Sequence, residues 1–357
     1  MKTAIRREPC GIALVIVMIA IFVLAVLVGA FAYSMKVETK LAMNANNGTD
    51  LIWLGRSGVE LARYVLTQQL TVPGEPYDSL NQKWAGGPGG MGISNSPLAE
   101  ISLNNYQIGD GTVTVKITDL ERKININTAD ERILEQALTL VGVDASEIQG
   151  LTSAILDWKD PDEIPHINGA ESDFYQSLDP PYYAKNKPFD DLSELLLVRG
   201  VTQDMYWGPA STNHSAAAFQ KTPRFGLTGA PPAYSVGLVD IFTPLSSGRV
   251  NINTASLTTL QALPGIDENA AAQIIKLRSG PDGVDGTEDD TPFNNVGELA
   301  MAVNPQLMPL LSRYCDVRSR TFDVQVAAEI NGVKQTFHAV VVRNGPRDAR
   351  ILTFDWK

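Results

Sequence analysis

Ile124-Asn125-Ile126-Asn127-Thr128-Ala129 recurs, conservatively altered, as Val250-Asn251-Ile252-Asn253-Thr254-Ala255. Downstream, Val141-Gly142-Val143-Asp144 is matched by Pro264-Gly265-Ile266-Asp267, and Ile155-Leu156 by Ile274-Ile275. An acidic loop follows each time. Then come Pro188-Phe189 with Ser193-Glu194-Leu195, and Pro292-Phe293 with Gly297-Glu298-Leu299. Matched elements in one order mark an internal duplication. Each copy reads as a strand, an N-cap, a helix, a glycine turn, a second helix, the acidic loop and a third helix. Thr128 and Glu131 have the spacing of a capping box. Between the copies, Thr202 to Pro232 is rich in Gly, Pro, Ser and Thr and reads as irregular linker.

Strand patterns flank this helical region. Thr112-Val113-Thr114-Val115-Lys116-Ile117 alternates strictly before it, and Phe322, Val324, Val326, Ala328 and Ile330 alternate after it. Asn331-Gly332 supplies a two-residue hairpin turn, from which Val333 to Arg343 returns. Ile351 to Trp356 offers a further strand. A sheet interrupted by a helical insertion is the economical reading. The class is therefore α+β, with an inserted all-α domain of two repeats.

The N-terminus sets the compartment. Lys2, Arg6 and Arg7 precede an uncharged run from Ile12 to Tyr33, which Lys36, Glu38 and Lys40 terminate. A helix needs about 20 apolar residues to cross a bilayer, so this run is long enough. The basic flank places the rest of the chain outside the inner membrane. From Ser34 to Thr71, Leu41, Leu51, Leu54, Leu61, Val65 and Leu66 recur at loose helical spacing, so the spanning helix continues until Val72-Pro73-Gly74. Gly86-Gly87-Pro88-Gly89-Gly90 reads as a flexible loop; no Lys-Ser/Thr follows it as in a phosphate cradle. The expected segments are 1–11 leader, 12–33 membrane span and 34–72 external helix. Next come 73–127 for the first part of the sheet and 128–200 for the first repeat. Then follow 201–249 linker and strand, 250–316 second repeat, and 317–357 closing strands.

A net charge of −11 over 357 residues argues against a nucleic-acid partner held through phosphate, and against broad contact with anionic lipid. The two cysteines, Cys10 and Cys315, are too separated in context for an expected disulfide, and three scattered histidines make no zinc spacing. His166 reads as a lone exposed histidine. No nucleophile elbow, metalloprotease helix or phosphate loop is present, so a non-enzymatic protein is expected.

The acids gather in two loops. The first holds Asp157, Asp160, Asp162, Glu163, Glu171 and Asp173; the second holds Asp282, Asp285, Glu288, Asp289 and Asp290 among Gly283 and Gly286. Oxygen donors on a short loop suit Ca²⁺, which takes about 6–8 oxygens, although neither loop has the EF-hand spacing.

Basic residues, then Gly11, then Ile12-Ala13-Leu14-Val15-Ile16 resembles the class III leader of type IV pilins and type II secretion pseudopilins. In that family the prepilin peptidase cuts after the glycine, here between Gly11 and Ile12, and the apolar segment stays as anchor. Ile16 stands where most members carry Glu, as in K-class minor pseudopilins. The long helix, the split sheet, both Asn-Ile-Asn-Thr-Ala units, Asp157-Trp158-Lys159-Asp160-Pro161-Asp162-Glu163 and Asn168-Gly169-Ala170-Glu171 resemble that class too. The resemblance implies a pilin-like fold with a helix-hairpin-helix-derived insertion and structural Ca²⁺ in that insertion. It also implies a tip complex with two other minor pseudopilins that initiates or caps the pseudopilus exporting folded proteins. A second resemblance is to the helix-hairpin-helix of membrane-anchored DNA-uptake proteins. There a glycine hairpin meets phosphate, but here Asp144 and Glu147, and Asp267 and Glu268, stand at the hairpins.

Overall fold

The computed structural model describes residues 10–90, 93–210 and 234–356. Helix α1 runs unbroken over Cys10–Gln69. Residues 1–9 of the expected leader lie outside the described residues. From Leu14 to Tyr33 the large apolar side chains of α1 are exposed, and an 18-residue window of the helix reaches a mean hydropathy of 3.2. By length and composition that half can cross a membrane. The other half is amphipathic. Leu51, Leu54, Val59, Ala62, Val65 and Leu66 are buried on the sheet, while Trp53 and Tyr64 face away. Leu41, expected on the apolar face, is exposed, because it precedes the first turn that reaches the sheet.

Five antiparallel strands form that sheet in the order β1-β2-β7-β8-β9: β1 Tyr106–Ile108, β2 Gly111–Asp119, β7 Thr321–Ile330, β8 Val333–Gly345 and β9 Asp348–Trp356. Strands β2 and β7 are direct neighbours, with Val115 opposite Val326, although the whole insertion separates them in sequence. The Asn331-Gly332 turn forms as expected, with φ of 51° and 76° at its two residues, the left-handed conformation that this hairpin type requires. The last strand begins earlier than its apolar pattern suggested, because Asp348 already pairs with Gly345.

Two glycines let α1 sit close on the sheet. A Cβ at Gly55 would overlap the Phe337 ring, and one at Gly58 would overlap Val326 Cγ1, whereas Gly48 faces open space. Alanine is the better helix former by about 1 kcal/mol. Gly48→Ala should therefore stabilise the chain by up to about 1 kcal/mol. Gly58→Ala should destabilise it by about 1–3 kcal/mol through overpacking. Urea unfolding of the detergent-solubilised chain reads both; equal gains from the two substitutions would contradict this packing.

The glycine-rich loop expected to be flexible is fixed instead. Gly87 N donates to Gln82 O (3.0 Å) and Gly89 N to Asn81 O (2.8 Å). Side chains at Gly87 and Gly90 would run into Asn81 and Glu75.

The helical body has its own core, from Ile124 to Val317, distinct from the core beneath the sheet. Repeat 1 contributes β3 (Ile124–Asn125), α2 (Glu131–Val141) and α3 (Ala145–Lys159). Repeat 2 contributes β5 (Val250–Asn251) and helices Leu257–Gln261, Glu268–Arg278 and Val296–Val303. Strand β3 pairs in parallel with β4 (Phe242–Thr243), and β5 with β6 (Cys315–Asp316), so each repeat is closed by the chain that follows it. Part of the expected linker is ordered structure. Helices Gln203–Trp207 and Leu238–Ile241 bury Met205, Tyr206, Leu238 and Ile241, because these apolar residues complete the first repeat's core. The remainder, 211–233, lies outside the described residues. The expected capping box is also displaced. Asp130, not Thr128, caps α2 by accepting from Ile133 N (3.1 Å), and Thr128 Oγ1 instead donates to Asn125 O.

The duplicated motif is held by the same side-chain clasp twice. Asn127 Nδ2 donates to Phe189 O (3.0 Å), and its Oδ1 accepts from Phe189 N (2.7 Å). Asn253 does the same with Phe293, at 3.0 and 2.9 Å. A cation at the end of each second helix completes the clasp. Lys159 Nζ donates to Ile126 O and Ala129 O (3.0 and 2.7 Å), and Arg278 Nη1 to Ile252 O and Ala255 O (2.7 and 2.8 Å). Burial lowers the Lys159 pKa to about 8.

Candidate metal centre

The first acidic loop leaves α3 at Lys159 and ends at the short helix Ser172–Gln176. Asp157, on the last turn of α3, is fully buried and organises the loop. Its Oδ1 accepts from His166 N (3.0 Å) and its Oδ2 from Ala170 N (2.6 Å). Gly169 is required here, since a Cβ would overlap Asp157 Oδ2. Arg199 ties the far side by donating from Nη1 to Gly169 O (2.8 Å) and from Nη2 to Asn168 O.

Within this frame carboxylates converge. Oxygens of Asp160, Asp162 and Glu171 lie within 4.8 Å of one another, and Asp157, Asp160 and His166 form an overlapping group. Glu171 is only 5% exposed, and among the described residues neither of its carboxylate oxygens has a hydrogen-bond partner. Asp160 Oδ1 and Asn186 Oδ1 are also buried without one. Burial, then the surrounding carboxylates, pushes Glu171 up to about 7; burial and Asp162 raise Asp160. Glu163 stands beside them, accepting from Ser172 Oγ (3.0 Å) and Asn186 Nδ2 (2.9 Å). Such a set is oxygen-rich, negative and under-satisfied, which is what a hard divalent cation of the Ca²⁺ type would relieve. Asp173 is exposed and takes no part in the gathering.

His166 is not lone. Its Nδ1 contacts Asp157 Oδ1 and lies 3.7 Å from Asp160 Oδ2, and the Asp157 contact raises its pKa. Asn186 was invisible in the loop's sequence, because it reaches Glu163 only through the return of the chain.

The second loop is built differently. Asp285 is engaged by Arg278 through Nε (3.0 Å) and Nη2 (2.6 Å). Asp282 accepts from Val284 N, Asp289 from Asp282 N and Asp290 from Gly286 N. Glu288 is exposed. These carboxylates close their own turns, and among the described residues they make no gathering like the first.

The glycine hairpins keep the geometry of a helix-hairpin-helix but not free donors. Gly142 and Gly265 have φ of 100° and 85°. After each, an aspartate caps the next helix: Asp144 accepts from Ser146 N (2.9 Å) and Asp267 from Ala270 N (2.8 Å). One N–H at the start of each following helix is thus taken by a carboxylate, whose charge would also repel phosphate.

Comparison with known proteins agrees with this architecture. Residues 103–207 match the family model of type II secretion system (T2SS) protein K, and residues 246–289 match a helix-hairpin-helix motif. The chain is 24% identical over 322 residues to type II secretion system protein K of Pseudomonas aeruginosa, covering 86% of this chain and 85% of that one. It is 31% identical over 114 residues to the Klebsiella pneumoniae protein of the same name, or 28% of this chain and 35% of that one. A chain of the GspK-GspI-GspJ complex from the type 2 secretion system of enterotoxigenic Escherichia coli shares the fold. Its TM-score is 0.60 at 19% identity, covering 88% of this chain and 99% of that one. With its anchor-like helix and its sheet split by a duplicated helical body, the chain is thus similar over most of its length to type II secretion system protein K, and residues 103–207 match that family's model.

Proposed function

We propose that this chain is a single-pass inner-membrane minor pseudopilin whose sheet and helical body lie in the periplasm. It works at the tip of the type II secretion pseudopilus with two other minor pseudopilins, initiating or capping assembly and aiding export of folded proteins. One observation carries the reading: α1 is a single helix, apolar and exposed over its first half and packed on the sheet over its second. That is the shape of a subunit which joins others through parallel helices. A duplicated helical body inserted between β2 and β7 adds bulk beyond the sheet, which would suit an end position. Ile16 contributes no carboxylate to the membrane segment. An intramembrane carboxylate is costly without a partner, so a subunit lacking one has no need of a preceding subunit to pair it. The related complex of K, I and J proteins supports the choice of partners.

The prepilin peptidase would act between Gly11 and Ile12, and the first acidic loop would hold Ca²⁺ through Asp160, Asp162, Glu171 and the adjoining Asp157 and Glu163. The ion would supply only charge neutralisation and loop order; no catalytic step is assigned to the chain.

The test is reconstitution. Full-length chain, purified from membranes in detergent, is mixed with the two other minor pseudopilins of its own secretion system and followed by native mass spectrometry. A complex containing all three, with the mature K-type chain beginning at Ile12, is expected. Failure to join either sibling would end the assembly reading. Salt-sensitive binding of duplex DNA by the isolated chain would favour the DNA-uptake alternative instead.

A further inference from the structure

In a chain of net charge −11, four arginines converge on one cleft where the sheet meets the helical body. Arg249, Arg318, Arg320 and Arg343 line a cavity of about 450 Å³, together with Asp316 and Asn344. The four are not equivalent. Arg343 is fully buried and bound to Asp78, and Arg318 Nε donates to Pro76 O (2.5 Å). Arg249 is half exposed, and its one ion pair among the described residues is with Asp316 Oδ2 at 3.7 Å. Arg320 is exposed and, among the described residues, its guanidinium has no hydrogen bond or ion pair. Asp78 pairs with Arg343 and Asp316 faces Arg249, while Asp119 and Glu121 lie buried behind them. On the exposed rim Arg249, Arg318 and Arg320 still outnumber the one acid, and Arg249 and Arg320 keep unused planar donors.

The geometry points to this cleft as a docking site for a carboxylate-bearing segment of a partner protein, with Arg249 and Arg320 making the contact. Guanidinium groups suit carboxylates because the fork of N–H donors matches both oxygens. Lipid phosphate is the poorer occupant on distance. The cleft borders Leu70, and the helical residues 34–69 separate it from Tyr33, about 54 Å at about 1.5 Å per residue. A duplex polyanion is disfavoured by the size of the cavity and by the acidity of the remaining surface.

Full-length chain in neutral detergent is titrated, by fluorescence anisotropy, against two labelled peptides: a tetraglutamate peptide with blocked C-terminus and an all-alanine peptide with free C-terminal carboxylate. Binding of the first assigns the ligand as an acidic side chain, and binding of the second as a chain terminus. Either supports the site if Arg249→Gln with Arg320→Gln weakens it at least tenfold without moving the melting temperature. Both arginines are on the rim, so that double variant should fold; Arg343 is left untouched because it is part of the core. Binding unchanged in the double variant overturns the assignment. So does no binding of either peptide, or binding only to phosphatidylglycerol vesicles.

Discussion

Arg343→Met is expected to cost about 3–5 kcal/mol of unfolding free energy, the usual penalty for stranding a buried charge. Arg343 is 1% exposed and its partner Asp78 0%. Its Nη2 donates to Asp78 Oδ2 (2.5 Å) and to Ser319 O, its Nη1 donates to Leu66 O of α1, and its guanidinium lies 4.9 Å from the Phe322 ring. Behind it stand two more buried acids. Asp119 accepts from Thr254 Oγ1 (2.5 Å), Ser319 Oγ (2.6 Å) and Asn251 Nδ2 (3.2 Å); Glu121 accepts from Ser247 N and Thr321 N. The network joins α1, the ends of β2 and β7, strand β8 and the second Asn-Ile-Asn motif. It is therefore the mount of the helical body on the sheet.

Charge in that mount also fixes the sign of its pH dependence. Burial, then the Glu121 charge, pushes Asp119 up to about 7 from its ordinary 3.8. A carboxyl raised on folding contributes stability that is full below its unfolded value and is lost as pH rises through the folded one. The native chain should therefore soften between about pH 4 and about pH 7 from this group. The Arg343→Met deficit should be larger at pH 8 than at pH 5.5, since the missing cation faces more negative charge. Adding Asp78→Asn should recover part of the loss by removing the stranded carboxylate. Urea unfolding at the two pH values reads all three. A double variant no better than Arg343→Met alone would show that packing, not charge, dominates.

What could be seen in the sequence was whatever repeats or alternates locally. The apolar run of α1, the period-two strands, the Asn331-Gly332 turn and the duplicated motif are local patterns, the longest of them the run from Ile12 to Tyr33, and each formed. The reason for the duplicated asparagines was not visible. Asn127 meets Phe189 across 62 positions and Asn253 meets Phe293 across 40. The matched Pro-Phe pairs signalled a repeat without revealing that their backbone is the asparagines' partner. Nothing in the local sequence singles out Asp119 and Glu121, because the groups that hydrogen-bond them, Ser319 and Thr321, arrive 200 positions later. The acid count located the first loop but could not rank the two. Arg278 neutralises Asp285 in the second, whereas no described cation is bound to Glu171 in the first.

That difference sets the last expected result. Chelation of Ca²⁺ should lower the melting temperature of the helical body by about 8–16 °C. A site occupied at about 1,000 times its Kd stabilises by about 4 kcal/mol, and a body of this size shifts by about 2–4 °C per kcal/mol. The stabilisation would come from oxygens left without a hydrogen-bond partner among the described residues: both of Glu171 and one of Asp160, buried beside Asp162 and Asp157. Glu171→Gln separates this from a general salt effect because it should act in opposite directions. In excess chelator the variant removes a buried charge from a negative cluster, so it should melt above the parent. In millimolar Ca²⁺ it lacks a carboxylate ligand and should melt below. Asp289→Asn, in the loop whose acids bind their own backbone, should show no such crossing. If the two melting curves of Glu171→Gln keep the same order with and without Ca²⁺, and the purified parent carries no metal by mass spectrometry, the first loop is an acidic turn stabilised by Arg199 and Asp157 alone.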